Sequence, residues 1–128
     1  MWTVLLVDDN PETIKLLTAE LKSPGFRILQ ASSAEQATRI IMSKETRPHL
    51  ILLDVVMPGV DGRKFCRFIK GNEMFRDIKV VLCSSMKRQE LRKVAEECGA
   101  DGFLHKEDVL GQWVTEQLKA MEKSHQEC

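Results

Sequence analysis

Asp8, Asp9 and Asp54 each stand at the end of an apolar run: Val4-Leu5-Leu6-Val7 leads into Asp8-Asp9, and Leu50-Ile51-Leu52-Leu53 leads into Asp54. Three carboxylates brought together repel one another, so such a cluster implies a cation, a proton or a function. Two more strand ends carry complementary groups. Val80-Val81-Leu82-Cys83 runs into the hydroxyl pair Ser84-Ser85, and Phe103-Leu104 runs through His105 to Lys106. Carboxylates suit a hard metal ion. A hydroxyl and an ammonium suit the oxygens of a phosphoryl group. The set is a kit for handling both.

Short, continuous apolar runs are the pattern of parallel strands buried on both faces. Between them the sequence reads as helices. Asn10-Pro11-Glu12 is an N-cap followed by Pro at the first helical position, opening a helix with Ile14, Leu17 and Leu21 inward. Ser32-x-x-Glu35 reads as a capping box for a second helix carrying Ala34, Ala37 and Ile41. A loop from Asp54 to Asp61 precedes a third helix with Phe65, Phe68 and Ile69. Leu91, Val94, Ala95 and Cys98 make the apolar stripe of a fourth, with Gly99 as its C-cap. A fifth, from about Asp108, carries Leu110, Val114, Leu118 and Met121.

Strands one, three and four are apolar throughout and belong in the middle of the sheet. Strand two (Phe26, Ile28, Ala31) is interrupted by Arg27 and Gln30, and strand five is very short, so both suit the edges. With right-handed crossovers and helices on both faces, the expected fold is α/β: a flavodoxin-like, doubly wound, five-stranded parallel sheet in the order 2-1-3-4-5. Strands one and three are then neighbours across the reversal of chain direction. Asp8, Asp9 and Asp54 meet at that switch point, where ligands bind.

The 128 residues are expected to form one domain over 1–128, with 119–128 a helix end or the start of a linker. Nineteen basic and nineteen acidic residues give zero net charge, which speaks against direct nucleic-acid binding. No membrane span or signal peptide is legible, so a cytoplasmic protein is expected. The cysteines at 66, 83, 98 and 128 form no Cys-x-x-Cys pair and read as reduced structural thiols. His49, His105 and His125 lack partners at ligand spacing, so a zinc site is not expected.

Four segments together resemble the receiver domain of two-component response regulators over essentially the whole chain. They are Val4 to Asn10, Leu52 to Gly62, Val80 to Ser85 and Gly99 to Lys106. Each alone is weak; four in order at the right strand ends are specific. The resemblance implies a phosphorelay receiver in which Asp54 accepts a phosphoryl group from a histidine kinase or histidine phosphotransfer protein. It implies Mg²⁺ bound by Asp9 and Asp54 directly, by Asp8 through water and by the Val56 backbone carbonyl. Lys106 and the Ser84 hydroxyl would hold the phosphoryl oxygens, with the Ser85 backbone N–H nearby. Phe103 would be the aromatic that changes rotamer when the hydroxyl moves. The basic residues Lys87, Arg88, Arg92 and Lys93 on the fourth helix read either as a solvated face or as the partner-docking surface common in the family.

Three residues depart from the family pattern: Glu107 stands where proline often follows the lysine, and Val56 and Met86 stand where many relatives are polar. The implied protein is a switch and not a turnover enzyme. It would act on a downstream protein or a fused output domain, as a stand-alone receiver or as the N-terminal part of a longer regulator, with no membrane partner. The alternative is a pseudo-receiver that binds partners without phosphorylation. An aspartyl-phosphate hydrolase would need a general acid at position 56, which valine cannot be. A flavin-binding protein would lack its hydroxyl-rich phosphate loop after strand one.

Overall fold

A computed structural model describes residues 2–20, 26–57 and 60–106, together with 116 and 119. Strand β1 (Trp2–Val7) is followed by helix α1 (Pro11–Glu20), strand β2 (Phe26–Ala31) and helix α2 (Ala34–Met42). Strand β3 (Leu50–Asp54) leads into two short strands, β4 (Val56–Met57) and β5 (Val60–Asp61), and helix α3 (Gly62–Lys70). Strand β6 (Lys79–Ser84), helix α4 (Arg88–Cys98) and strand β7 (Gly102–His105) complete the described elements. Residues 116 and 119 are helical. The expected residues of the last helix, Leu21 of the first, and Glu107 lie outside the described residues.

The five long strands form one parallel sheet in the order β2-β1-β3-β6-β7, which is the expected 2-1-3-4-5 when only these strands are counted. Period-two alternation sends successive side chains to opposite faces. Leu5, Val7, Ile51, Leu53, Val80 and Leu82 join residues of α2, α3 and α4 in one core. Val4, Leu6, Leu50, Leu52, Val81 and Cys83 form a second core, against which Leu17 of α1 packs. Helices therefore cover both faces, and the runs 4–7, 50–53 and 80–83 of the central strands are apolar throughout because neither face sees water.

Local sequence explains the helix ends, with one shift. Asn10 Oδ1 accepts from the Glu12 backbone N–H at 2.9 Å, as its position before Pro11 predicts. The cap of α2 is Ser33, not Ser32: its hydroxyl accepts from the Gln36 backbone N–H at 3.2 Å. The Gln36 side-chain oxygen accepts from the backbone N–H and hydroxyl of Ser32, the residue before the cap, so Ser33 and Gln36 stand in for the expected Ser32 and Glu35 without closing a reciprocal box. Gly99 closes α4 in the left-handed region at φ 78°, where a side chain would be strained.

The expected loop after Asp54 holds two short paired strands. Val56 pairs with Asp61 and Met57 with Val60 as an antiparallel hairpin. Gly62 then turns into α3, its N–H donating to the Val55 carbonyl at 3.3 Å. A Cβ there would stand 2.6 Å from the Asp54 carbonyl oxygen and 2.9 Å from that of Val55. Only glycine lets α3 begin this close to the end of β3.

Candidate functional site at the carboxyl edge of the sheet

Register brings the expected residues together. Val7 is paired with Leu53, so Asp8 and Asp54 are the next residues on adjacent strands. Asp54 in turn is paired with Cys83, one residue before Ser84, and Ser84 with His105, one residue before Lys106. The four strand ends form one rim.

On that rim Asp8, Asp9 and Asp54 each present a carboxylate oxygen within 4.8 Å of the others. Asp8 and Asp54 are buried, 4% and 6% exposed, while Asp9 faces solvent. The Asp8 carboxylate is fixed by the Asn10 backbone N–H, which donates to Oδ1 at 2.9 Å. Lys106 reaches across the cluster. Its ammonium lies 3.2 Å from Oδ2 of Asp8 and 3.5 Å from Oδ2 of Asp54.

Burial taken alone pulls the Lys106 ammonium down, but the Asp54 and Asp8 carboxylates outweigh it and hold the group above its usual value. One ammonium faces three carboxylates, so the rim keeps an excess of negative charge. The available donors are all hard carboxylate oxygens, two of them nine-tenths buried. That donor set fits a small divalent cation such as Mg²⁺ and does not fit a thiophilic metal.

The remaining expected residues fall around this cluster. Ser84 is 4% exposed, and its Oγ accepts from the Met86 backbone N–H at 3.1 Å. Its carbonyl accepts from the Lys106 backbone N–H at 2.9 Å, which ties the hydroxyl strand to the lysine. Ser85 is exposed. Phe103, on β7, is 36% exposed. Val56 lies in β4, two residues past Asp54, with its side chain outside the described residues. Met86 is half-buried and packs against the first core.

Two supporting residues escaped the sequence reading. Asn10 was read only as a helix cap, yet its own N–H orients Asp8; the Asp-x-Asn spacing carried that signal. Gly62 sits behind Asp54, and the Asp61-Gly62 pair was its only trace.

The family model for the response regulator receiver domain matches residues 4–115. The chain belongs to that family. It is 35% identical over 109 residues to the response regulator PleD of Caulobacter vibrioides, covering 84% of this chain and 24% of that protein. It is 30% identical over 104 residues to the phosphate regulon transcriptional regulatory protein PhoB of Pseudomonas aeruginosa, covering 81% of this chain and 44% of PhoB. The chain thus spans less than half the length of these curated relatives. Among solved structures, the signal receiver domain of a histidine kinase from Syntrophus aciditrophicus superposes with a TM-score of 0.81 at 29% identity. That match covers 97% of this chain and 92% of the other. A receiver domain from a two-component system therefore carries the carboxylate rim.

Proposed function

We propose that this receiver accepts a phosphoryl group on Asp54 from a phosphohistidine of a kinase or phosphotransfer protein, and that the resulting state changes which partner it binds. The supporting observation is the rim itself: three carboxylates within 4.8 Å, faced by one lysine ammonium. A carboxylate oxygen of Asp54 attacks phosphorus, forming an acyl phosphate as the phosphorus–nitrogen bond to the donor imidazole breaks. A carboxylate is a weak nucleophile, so rate comes from positioning and charge neutralisation. Asp9 and Asp54 would hold Mg²⁺ directly, Asp8 through water and Val56 through its carbonyl; the ion supplies the positive charge that lets an anionic donor approach.

The chain's own groups do the rest. Lys106, now on Asp8 and Asp54, carries its charge to the phosphoryl oxygens. Ser84 gives up its acceptor role toward the Met86 N–H and donates its hydroxyl to the phosphoryl group, beside the Ser85 backbone N–H. Phe103, a third exposed, would change rotamer as the hydroxyl moves. The chain acts as a single domain over residues 1–128 and as a switch, not a turnover enzyme. No helix among the described residues is long and apolar enough to cross a membrane, which is consistent with action in the cytoplasm. Its output is exerted on another protein or on a fused domain, without direct contact to nucleic acid.

Incubation with acetyl phosphate and Mg²⁺, followed by intact-mass measurement, tests this. Uptake of one phosphate that disappears on omitting Mg²⁺ supports it. No uptake under any condition would instead make the chain a phosphorylation-independent binding module.

A further inference from the structure

The basic residues of α4, which read either as a solvated face or as a docking surface, share their helix with acids. Arg88, Arg92 and Lys93 are interleaved with Glu90, Glu96 and Glu97, and Arg92 pairs with Glu96 at 3.6 Å. Helix α3 is different. Its sequence, Gly-Arg-Lys-Phe-Cys-Arg-Phe-Ile-Lys, contains no acid. Phe65, Cys66 and Ile69 turn inward, and Lys70 is held by the Asp101 carboxylate at 2.8 Å and by the carbonyls of Arg76 and Ile78.

Arg63, Lys64, Arg67 and Phe68 are left on the solvent side, related by three- and four-residue steps that put them on one stripe. Among the described residues none of these three cations has an ion-pair partner. Phe68 packs on Phe75 with ring centroids 6.0 Å apart yet stays 45% exposed, and Met74, next to Phe75, is 61% exposed. From Asp61 to Lys79 the chain carries six Lys or Arg residues and three acids, Asp61, Glu73 and Asp77, in a protein of zero net charge.

We infer that the outer face of α3 docks an acidic, amphipathic segment of a partner protein. The cations meet its carboxylates while Phe68 and Met74 receive its apolar side chains. Arginine, phenylalanine and methionine are the residue types that interface cores favour. Three cations alone would also attract a nucleic acid or an anionic membrane. The exposed apolar pair and the neutral whole favour a protein segment, because those other surfaces are selected mainly by net positive charge.

The probe is a fluorescein-labelled peptide with Glu and Leu at helical spacing, titrated with the full chain and read by anisotropy. Its Gln/Leu counterpart, duplex DNA and phosphatidylserine vesicles form the comparison arms. The Glu peptide should bind, with salt weakening it, and the Gln peptide should bind at least about tenfold more weakly. Combining Arg63→Ser, Lys64→Ser and Arg67→Ser should cost about tenfold or more, and Phe68→Ser alone about fivefold. The single reversal Arg67→Glu provides a milder variant, and circular dichroism melts establish that each is folded. Replacing Lys87, just before α4, and Arg88, Arg92 and Lys93 within it with serine should leave binding within about twofold. Unchanged binding by the folded α3 variants overturns the inference. So does binding of DNA or vesicles, but not of the peptide, through the same residues.

Discussion

Lys106 Nζ lies 3.5 Å from Oδ2 of Asp54, on the carboxylate proposed as phosphoryl acceptor, and the same ammonium touches Asp8 at 3.2 Å. The lysine is thus a resident counter-ion of the carboxylates before any other cation arrives. Two charges about 4 Å apart interact by about 1 kcal/mol in water and about 4 kcal/mol near a protein surface. The lysine and a divalent ion therefore oppose each other at the rim.

Removing the ammonium should accordingly tighten metal binding. Lys106→Met is expected to lower the Mg²⁺ dissociation constant at least about fivefold, while labelling by a phosphodonor is impaired. Isothermal titration of the two proteins reads the affinity. Equal or weaker Mg²⁺ binding by the variant would place the ion away from this lysine.

The same contact sets an alkaline limit on stability. Because the folded protein holds the Lys106 ammonium above its usual 10.5, the ion pair contributes fully below that value and is lost as pH rises through the higher folded-state value. The wild-type melting midpoint should exceed that of Lys106→Met by a constant margin between about pH 7 and about pH 9, and the margin should shrink above the usual lysine range. A margin that grows with pH would contradict the assignment.

Asp9 is the exposed member of the triad, and among the described residues no ion pair is recorded for it. Asp9→Asn relieves like-charge repulsion, so without metal the variant should melt higher than wild type, by about one to a few degrees. Mg²⁺ should raise the wild-type midpoint by linkage and leave the variant nearly unmoved. Equal shifts in both would put the ion elsewhere.

Gly62 links the fold to the chemistry. An added Cβ would meet the Asp54 carbonyl oxygen at 2.6 Å, so Gly62→Ala must push α3 off the end of β3. About 1–3 kcal/mol of destabilisation is expected, together with slower phosphorylation because Asp54 moves. Urea unfolding and labelling kinetics check the pair. A variant as stable and as fast as wild type would refute the close approach.

The phosphorylated state should be long-lived. Hydrolysis needs a water held in line with the acyl phosphate, and polar side chains position it. Neither Val56 nor Met86 can orient a water. Val56→Asn with Met86→Glu should speed phosphate loss by about tenfold at fixed Mg²⁺, measured as a decay time course. Equal or slower decay would mean that another group sets the lifetime.

Much of this was legible in the sequence because burial leaves its mark on composition. The runs at 4–7, 50–53 and 80–83 are apolar at every position since helices cover both faces of β1, β3 and β6, and strand order followed from that. The carboxylates were legible because parallel strands deliver their ends to one rim. The hairpin at 56–61 was read as a loop: two-residue strands are too short to show alternation. The α2 cap was displaced from Ser32 to Ser33, because adjacent serines carry the same cue and only backbone geometry chooses between them. Phe68 was grouped with the inward residues of α3, although it lies at the edge of the apolar stripe and keeps nearly half its surface in solvent. The basic stripe of α3 is not legible in the sequence, because which of its cations stay unpaired depends on tertiary partners such as the Asp101 carboxylate that holds Lys70.

The most direct test of the central claim is to locate the phosphoryl group. After brief exposure to acetyl phosphate and Mg²⁺, borohydride reduces an aspartyl phosphate to homoserine, and peptide mass spectrometry finds the altered residue. The account predicts homoserine at position 54 alone, and none in Asp54→Ala. Homoserine at position 8 or 9, or phosphate retained as a borohydride-resistant ester on Ser84, would contradict it.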